Sequence, residues 1–162
     1  MLRTILVGCA ALAIGATAVV AQTARPATSA SPGTSAAAND PIATRKETMK
    51  GVGAAARTAT QMTKGEAPFD LAKAKAVFNT FENAAKRMPT LFPATSKTGG
   101  ETTAAPKIWD DMAGFRARFA KFEQEADAAE KSTRDLASFQ AEFTKVSQNC
   151  GGCHETYRIK RN

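Results

Sequence analysis

The chain has 162 residues, enough for one domain, and after residue 21 it contains only three valines and three isoleucines. So few β-branched residues exclude a sheet core, and the abundant Ala, Lys, Glu, Gln and Leu predict an all-α fold. The formal charge of +7 favours an anionic partner or an anionic group held within the protein, and it does not by itself indicate nucleic acid.

Residues 1–21 are predicted to be a secretory signal peptide. They contain one arginine, an apolar run of about 16 residues and a final group of small residues suited to signal peptidase. The run is shorter than the roughly 20 residues that a membrane span needs, so a retained anchor is the minor alternative. A lipoprotein box ending at Cys9 fits poorly, because the apolar run continues well past it. We therefore expect cleavage after Ala21, a periplasmic location, no membrane span in the mature form, and a mature charge of 21 minus 15, or +6.

Residues 22–39 are expected to form a flexible leader. The segment is built mainly from Ala, Thr, Ser, Pro and Gly, and it has no Phe, Leu, Ile or Val. Such a composition cannot bury enough apolar surface to offset the entropy lost on ordering. The folded domain is therefore predicted to span residues 40–162.

Four amphipathic segments follow, each with apolar residues at alternating spacings of three and four positions, as on a helix with one buried face. The first two series are Ile42, Met49, Val52 and Ala56, then Leu71, Ala74, Phe78, Phe81, Ala85 and Met88. The other two series are Ile108, Met112, Phe115, Phe119 and Phe122, then Leu136, Phe139, Phe143, Val146, Cys150, Cys153 and Tyr157. Pro89 is expected to stop the second helix, and Pro106 to stand at the start of the third.

The connections predict how the four helices are arranged. The links at 62–68 and at about 127–132 look short, whereas the segment 91–105 is longer and rich in Thr, Gly and Pro. Short links favour antiparallel neighbours, so we predict an up-down-up-down antiparallel four-helix bundle.

The chemistry is concentrated in the sequence Cys150-Gly151-Gly152-Cys153-His154. The pattern C-x-x-C-H is the attachment signature of a c-type haem. On a helix this spacing puts both sulfurs and the imidazole on one side, where the thiols can bond the two porphyrin vinyl groups while His154 ligates the iron. The two glycines would let the flat macrocycle lie close to the backbone. We predict one haem c, attached covalently through Cys150 and Cys153.

Three other uses of these residues fit less well. A zinc site needs a fourth ligand, but His154 is the only histidine and the mature chain has no third cysteine. A thioredoxin-like redox pair expects a preceding strand in a βαβ unit, and a structural disulfide does not call for the adjacent histidine.

The chain resembles the class II c-type cytochromes, the family of cytochrome c′ and its low-spin relatives of the cytochrome c-556 kind. The likeness covers residues 40–162, and its most specific feature is a haem motif at the extreme C-terminus of a four-helix chain. The other matching segments are Arg45-Lys-Glu-Thr-Met49, Leu91-Phe-Pro93, Pro106-Lys-Ile-Trp109 with Phe115, and Tyr157 with Arg158 and Lys160. In this family an antiparallel dimer through the first two helices is common, so the resemblance implies a possible homodimer.

The function depends on which group, if any, binds the iron on the face opposite His154. In the family, the residue four positions after the first-helix arginine points at this face, which implies Met49 as the second metal ligand. Members with an apolar residue there leave the iron five-coordinate and open to small gases. The antiparallel first and last helices would also bring Met49 and His154 to a similar level. Ordinary core packing is the alternative for Met49, and Met112 is its rival as a ligand.

Smaller predictions concern the surroundings of the haem and the partner. Trp109 and Tyr157 are predicted to be haem-pocket walls or ordinary packing, and Arg45 to pair with a haem propionate or lie on a solvated face. Arg158 is predicted to border the haem, within a basic rim that would steer an acidic redox partner at low salt. The other members of this rim are Lys86, Arg87, Lys97, Lys160 and Arg161. The rim lacks the interleaved aromatic residues that would indicate nucleic-acid binding. It also fits a plain solvated surface.

The sequence thus predicts an exported monohaem cytochrome, not an enzyme, that passes single electrons through a low-spin haem ligated by His154 and Met49. The alternative is a protein with a five-coordinate haem that captures nitric oxide or carbon monoxide. Because the haem would fill the bundle, the haem-free chain is expected to be poorly folded.

Overall fold

The computed structural model describes residues 40–160, in which four long helices form an antiparallel bundle. In chain order the helices are α1 (Pro41–Thr63), α2 (Leu71–Arg87), the one-turn α3 (Lys107–Asp110), α4 (Met112–Ser132) and α5 (Leu136–Tyr157). Two short 3₁₀ turns, Met88–Leu91 and Ala94–Ser96, lie between α2 and α3. The predicted all-α, up-down-up-down bundle is confirmed.

Three predicted features lie outside the described residues: the signal peptide at 1–21, the leader at 22–39, and Arg161. Between residues 40 and 160, no helix is both long enough and apolar enough to cross a membrane. The only β-structure in this part of the chain is an isolated antiparallel bridge between Ala104 and Arg158.

An aspartate caps the start of every long helix. Each carboxylate accepts a hydrogen bond of 2.8 to 3.1 Å from a backbone N–H in the first turn of its helix. Such caps satisfy donors that have no partner inside the helix, and each is typically worth about 1 kcal/mol. The four caps are Asp40, Asp70, Asp111 and Asp135.

Two predictions about the third helix are wrong. It is not continuous from Pro106, because the backbone of Asp111 leaves helical angles (φ −136°, ψ 54°) and its side chain caps Gly114 at the start of α4. Its end also lies later than predicted, since α4 continues to Ser132 and leaves only residues 133–135 as the link to α5.

The core is built around phenylalanine rings on different helices. Phe78, Phe81 and Phe139 are each at most 1% exposed. The ring of Phe78 meets that of Phe139 edge-on at 5.5 Å, and Phe81 lies 5.7 Å from Phe122. Helices α2 and α4 pack closely along their length, whereas α1 and α5 approach each other at few points. The two helices predicted to carry the iron ligands are therefore the more loosely joined pair.

Leu71 and Leu136, which the pattern placed in the core, are 40% and 36% exposed. Each is the first residue of its helix, directly after the capping aspartate, so its side chain lies at the edge of the bundle rather than between helices.

Replacement of Phe139 by alanine is expected to lower the free energy of unfolding by about 3 to 5 kcal/mol, because the ring is fully buried and its removal leaves a cavity. Denaturant unfolding of the haem-loaded protein, followed by circular dichroism, measures this loss. Leu136→Ala on the same helix is the control, with an expected change of about 0.5 kcal/mol. Equal losses for the two variants would contradict the described core.

Candidate functional site

The C-x-x-C-H motif lies in the last two turns of α5. Cys150 and Cys153 are half-buried free thiols, and Cys153 packs against the hydrophobic core. His154 is exposed and borders an open hollow of about 520 Å³ together with Arg158 and Lys160. The motif therefore turns its sulfurs toward the bundle and leaves the imidazole at the surface.

Burial shifts the pKa of all three side chains of the motif. Burial raises the pKa of both thiols, and at Cys153 the nearby Arg118 guanidinium opposes this effect. Partial burial lowers the pKa of His154, and the positive charge of Arg158 lowers it further. His154 is consequently neutral at pH 7, and a neutral imidazole is the form whose ring nitrogen binds a metal.

The donor set fits a covalent haem better than the alternatives. Within residues 40–160, no three His, Cys, Asp or Glu side chains converge to hold a metal ion, whereas a structural zinc site needs four ligands around one point. Cys150 and Cys153 are free thiols, with no disulfide between them. A Cβ added at Gly151 would have no neighbouring atom within 4 Å, so the backbone at the motif leaves room for a flat group.

One hydrogen bond joins the end of α1 to the start of α5. The side-chain nitrogen Nε2 of Gln140 donates to the backbone oxygen of Thr63 at 2.9 Å. Met49 precedes Thr63 on α1 by the same number of positions as His154 follows Gln140 on α5. At a rise of about 1.5 Å per residue, both stand about 21 Å from this contact. This count would bring Met49, which is half-buried against the core, to about the level of His154.

Arg45 lies one turn before Met49 and is buried, with only 4% of its surface exposed, so the solvated-face alternative is wrong. Its Nη1 donates to Leu91 O (3.2 Å) and Ser96 Oγ (3.1 Å), and its Nη2 donates to Ser96 O (3.1 Å) and Thr102 Oγ1 (3.3 Å). The guanidinium carbon also lies 4.4 Å from the centre of the Phe92 ring. Arg45 thus binds the long connection that follows α2, while its pairing with a haem propionate stays a prediction.

The chain matches a known protein family over most of its length. Residues 40–158 match the family described as Cytochrome C'. The chain is 42% identical over 126 residues to cytochrome c′ of Rhodopseudomonas palustris, covering 78% of this chain and 86% of that protein. A solved structure of the R. palustris cytochrome c′ aligns with a TM-score of 0.74 at 43% identity, covering 76% of this chain and 98% of that one.

A second kind of relative matches as well. The chain is 36% identical over 121 residues to cytochrome c-556 of Agrobacterium fabrum, covering 74% of this chain and 82% of that protein. This chain belongs to the class II c-type cytochromes. The predicted cofactor, a covalently bound haem c, follows from that membership. Because relatives of both kinds match, the choice between electron transfer and gas binding rests on the residues of this cytochrome.

The two predicted aromatic walls both have packing partners. Trp109 Nε1 donates to Phe92 O at 3.0 Å, and the two rings meet edge-on at 6.0 Å. The Tyr157 hydroxyl donates to Asp111 Oδ2 at 2.8 Å, and its ring lies 5.2 Å from that of Phe115. The hydrogen bond from Tyr157 is the main reason why the pKa of Asp111 is lowered. A wall function of Trp109 and Tyr157 toward the haem stays a prediction.

Arg118 is a residue of the site that the sequence did not reveal. Its Nη1 would lie 3.5 Å from a Cβ added at Gly152, and its charge lowers the pKa of Cys153 against the larger effect of burial. Arg118 is an exposed residue of α4, far from the motif in sequence, and no local pattern relates it to the motif. It brings a positive charge next to the haem attachment motif of this cytochrome.

Some residues of the predicted basic rim lie beside the motif, and others do not. Arg158 and Lys160 are exposed beside His154, and Lys97 is exposed on the connection after α2. Lys86 instead forms an ion pair with Glu82 on the same helix, and this pairing raises the pKa of Lys86. Of the predicted rim, the residues that lie next to the motif are therefore Arg158 and Lys160.

Proposed function

We propose that this cytochrome transfers single electrons in the periplasm through a haem attached to Cys150 and Cys153, with His154 and Met49 as axial ligands. The observation that carries the proposal is the contact between Thr63 and Gln140, from which counting along α1 and α5 brings Met49 and His154 to about one level. Bound haem supplies an iron that takes up and releases one electron, and a His/Met ligand pair raises its reduction potential.

The protein residues would hold the cofactor from two helices. On α5, Cys150 and Cys153 would form the thioether bonds to the haem. Neutral His154 on the same helix would bind the iron through a ring nitrogen. Met49 would offer its thioether from the core-facing side of α1. Both helices are anchored in the bundle, through Val52 on α1 and Phe139 on α5, so the ligands would move little between oxidation states. Little movement keeps the reorganisation on electron transfer small.

We infer that the partner is an acidic redox protein. Arg158 and Lys160 are exposed beside His154, where they would attract negative charge and speed association at low ionic strength. The same proposal includes export by the predicted signal peptide and a homodimer through α1 and α2. It includes neither binding of nucleic acid nor an enzymatic reaction.

A ferrous absorption spectrum with and without carbon monoxide tests the proposal. If Met49 occupies the sixth position, the spectrum will show a sharp low-spin α band that changes only slowly after the gas is added. A broad high-spin band that shifts on adding the gas would contradict the proposal and support a gas-binding protein instead.

A further inference from the structure

The segment 91–105, here called the strap, joins α2 to α3 and contacts the first turns of α1. Its bonds with Arg45 involve Leu91, Ser96 and Thr102, at the beginning, middle and end of the strap. Within the strap, Gly100 has a φ of +52°, and a Cβ added there would lie 3.1 Å from a side-chain carbon of Ile42. The strap is therefore seated closely on the N-terminal part of α1.

The end of the strap is paired with the end of α5. The backbone N–H of Ala105 donates to Tyr157 O at 3.0 Å, and the N–H of Ile159 donates to Thr103 O at 2.8 Å. Between these bonds, Ala104 and Arg158 form the isolated antiparallel bridge. Three consecutive strap residues thus hold the residues that end and follow α5.

Thr102 is the junction between the two sets of contacts. Its hydroxyl oxygen accepts from Arg45 Nη2 at 3.3 Å and from the backbone N–H of Ala104 at 3.1 Å. A single side chain therefore connects α1 to the residues that pair with α5.

The strap crosses between α1 and α5 close to the proposed ligands. Arg45 precedes Thr63 by the same number of positions as Arg158 follows Gln140, so the contact between Thr63 and Gln140 places the two arginines level with each other. This level is one helical turn beyond that of Met49 and His154. Because α1 and α5 approach each other at few points, a link here has a direct effect on their spacing at the ligands.

We propose that the strap positions Met49 for ligation, with Thr102 as the positioning residue that fixes α1 relative to α5. The inference rests on the proposed function. Ligation by Met49 competes with an open state in which the thioether is withdrawn, and contacts that hold α1 close to α5 lower the population of that state. Carbon monoxide can bind ferrous iron only in the open state, so its binding rate reports that population.

The test compares carbon monoxide binding to the ferrous holoprotein in three threonine variants. Thr102→Val removes the hydroxyl while keeping the shape, and we expect binding about five- to tenfold faster than in the wild type. Thr102→Ser keeps the oxygen and should restore the wild-type rate. Thr103→Val is the matched control, because among the described residues the Thr103 side chain makes no hydrogen bond, and its rate should equal the wild-type rate.

The outcomes separate the strap from the ligand assignment. A low-spin wild type in which Thr102→Val and Thr103→Val bind the gas at equal rates would overturn the inference alone. A wild type that is already high-spin and binds the gas at once would overturn the proposed function, and the role of the strap with it. A melting temperature lowered in Thr102→Val without a faster gas reaction would indicate a purely structural residue and would also overturn the inference.

Discussion

Met49→Leu is expected to turn a low-spin haem that reacts only slowly with carbon monoxide into a high-spin haem that binds the gas at once. Leucine has no atom that can ligate iron, so the distal position would open. The substitution conserves volume in a half-buried position, so its cost in folding free energy should stay below about 1.5 kcal/mol and the fold should survive. Ferrous spectra and carbon monoxide titration measure the change, and the reduction potential should fall with loss of the thioether.

Met112→Leu is the matched control, because Met112 is also a half-buried methionine that packs against the core, at the start of α4. It should keep the low-spin spectrum of the wild type. A Met49→Leu protein that stays low-spin would show that Met49 is not the ligand. If only Met112→Leu became high-spin, the ligand would be Met112.

The helices were predictable because their burial follows a local pattern, but the break at Asp111 was not. Ile108, Met112 and Phe115 continue the helical spacing across Asp111 without interruption. The break is held by the Asp111 carboxylate, which caps Gly114 and also accepts the hydroxyl of Tyr157. Tyr157 lies 46 residues away, so half of this arrangement depends on a contact that no local window contains.

In the site, too, one part could be predicted from a local pattern and another part could not. The attachment motif is five consecutive residues, so its chemistry could be predicted directly from the sequence. The environment of Arg45 could not, because its partners are mostly oxygens of a connection 46 to 57 residues away. An arginine on an otherwise amphipathic helix looks like a solvated residue until the chain that covers it is placed. Arg118 was missed for the same reason, since its neighbour Gly152 belongs to another helix.

Replacement of both attachment cysteines, Cys150→Ser with Cys153→Ser, is expected to yield a colourless chain that has lost much of its helical signal and its cooperative unfolding. The free energy of holding a cofactor in a site that forms only on folding adds to the stability of the fold. A domain of this size is stable by only about 5 to 15 kcal/mol, so losing this contribution removes a large share of the total. Circular dichroism with thermal unfolding measures both effects.

The packing of the bundle indicates which helices depend most on the haem. Helices α2 and α4 share a core of phenylalanine rings that does not involve the motif, whereas α1 and α5 approach each other at few points. Loss of helicity should therefore begin with α1 and the end of α5. The single variants Cys150→Ser and Cys153→Ser are the controls, because each keeps one thiol and His154 and should remain coloured and helical. Native helicity with a sharp transition in the colourless double variant would mean that the protein side chains alone hold α1 against α5.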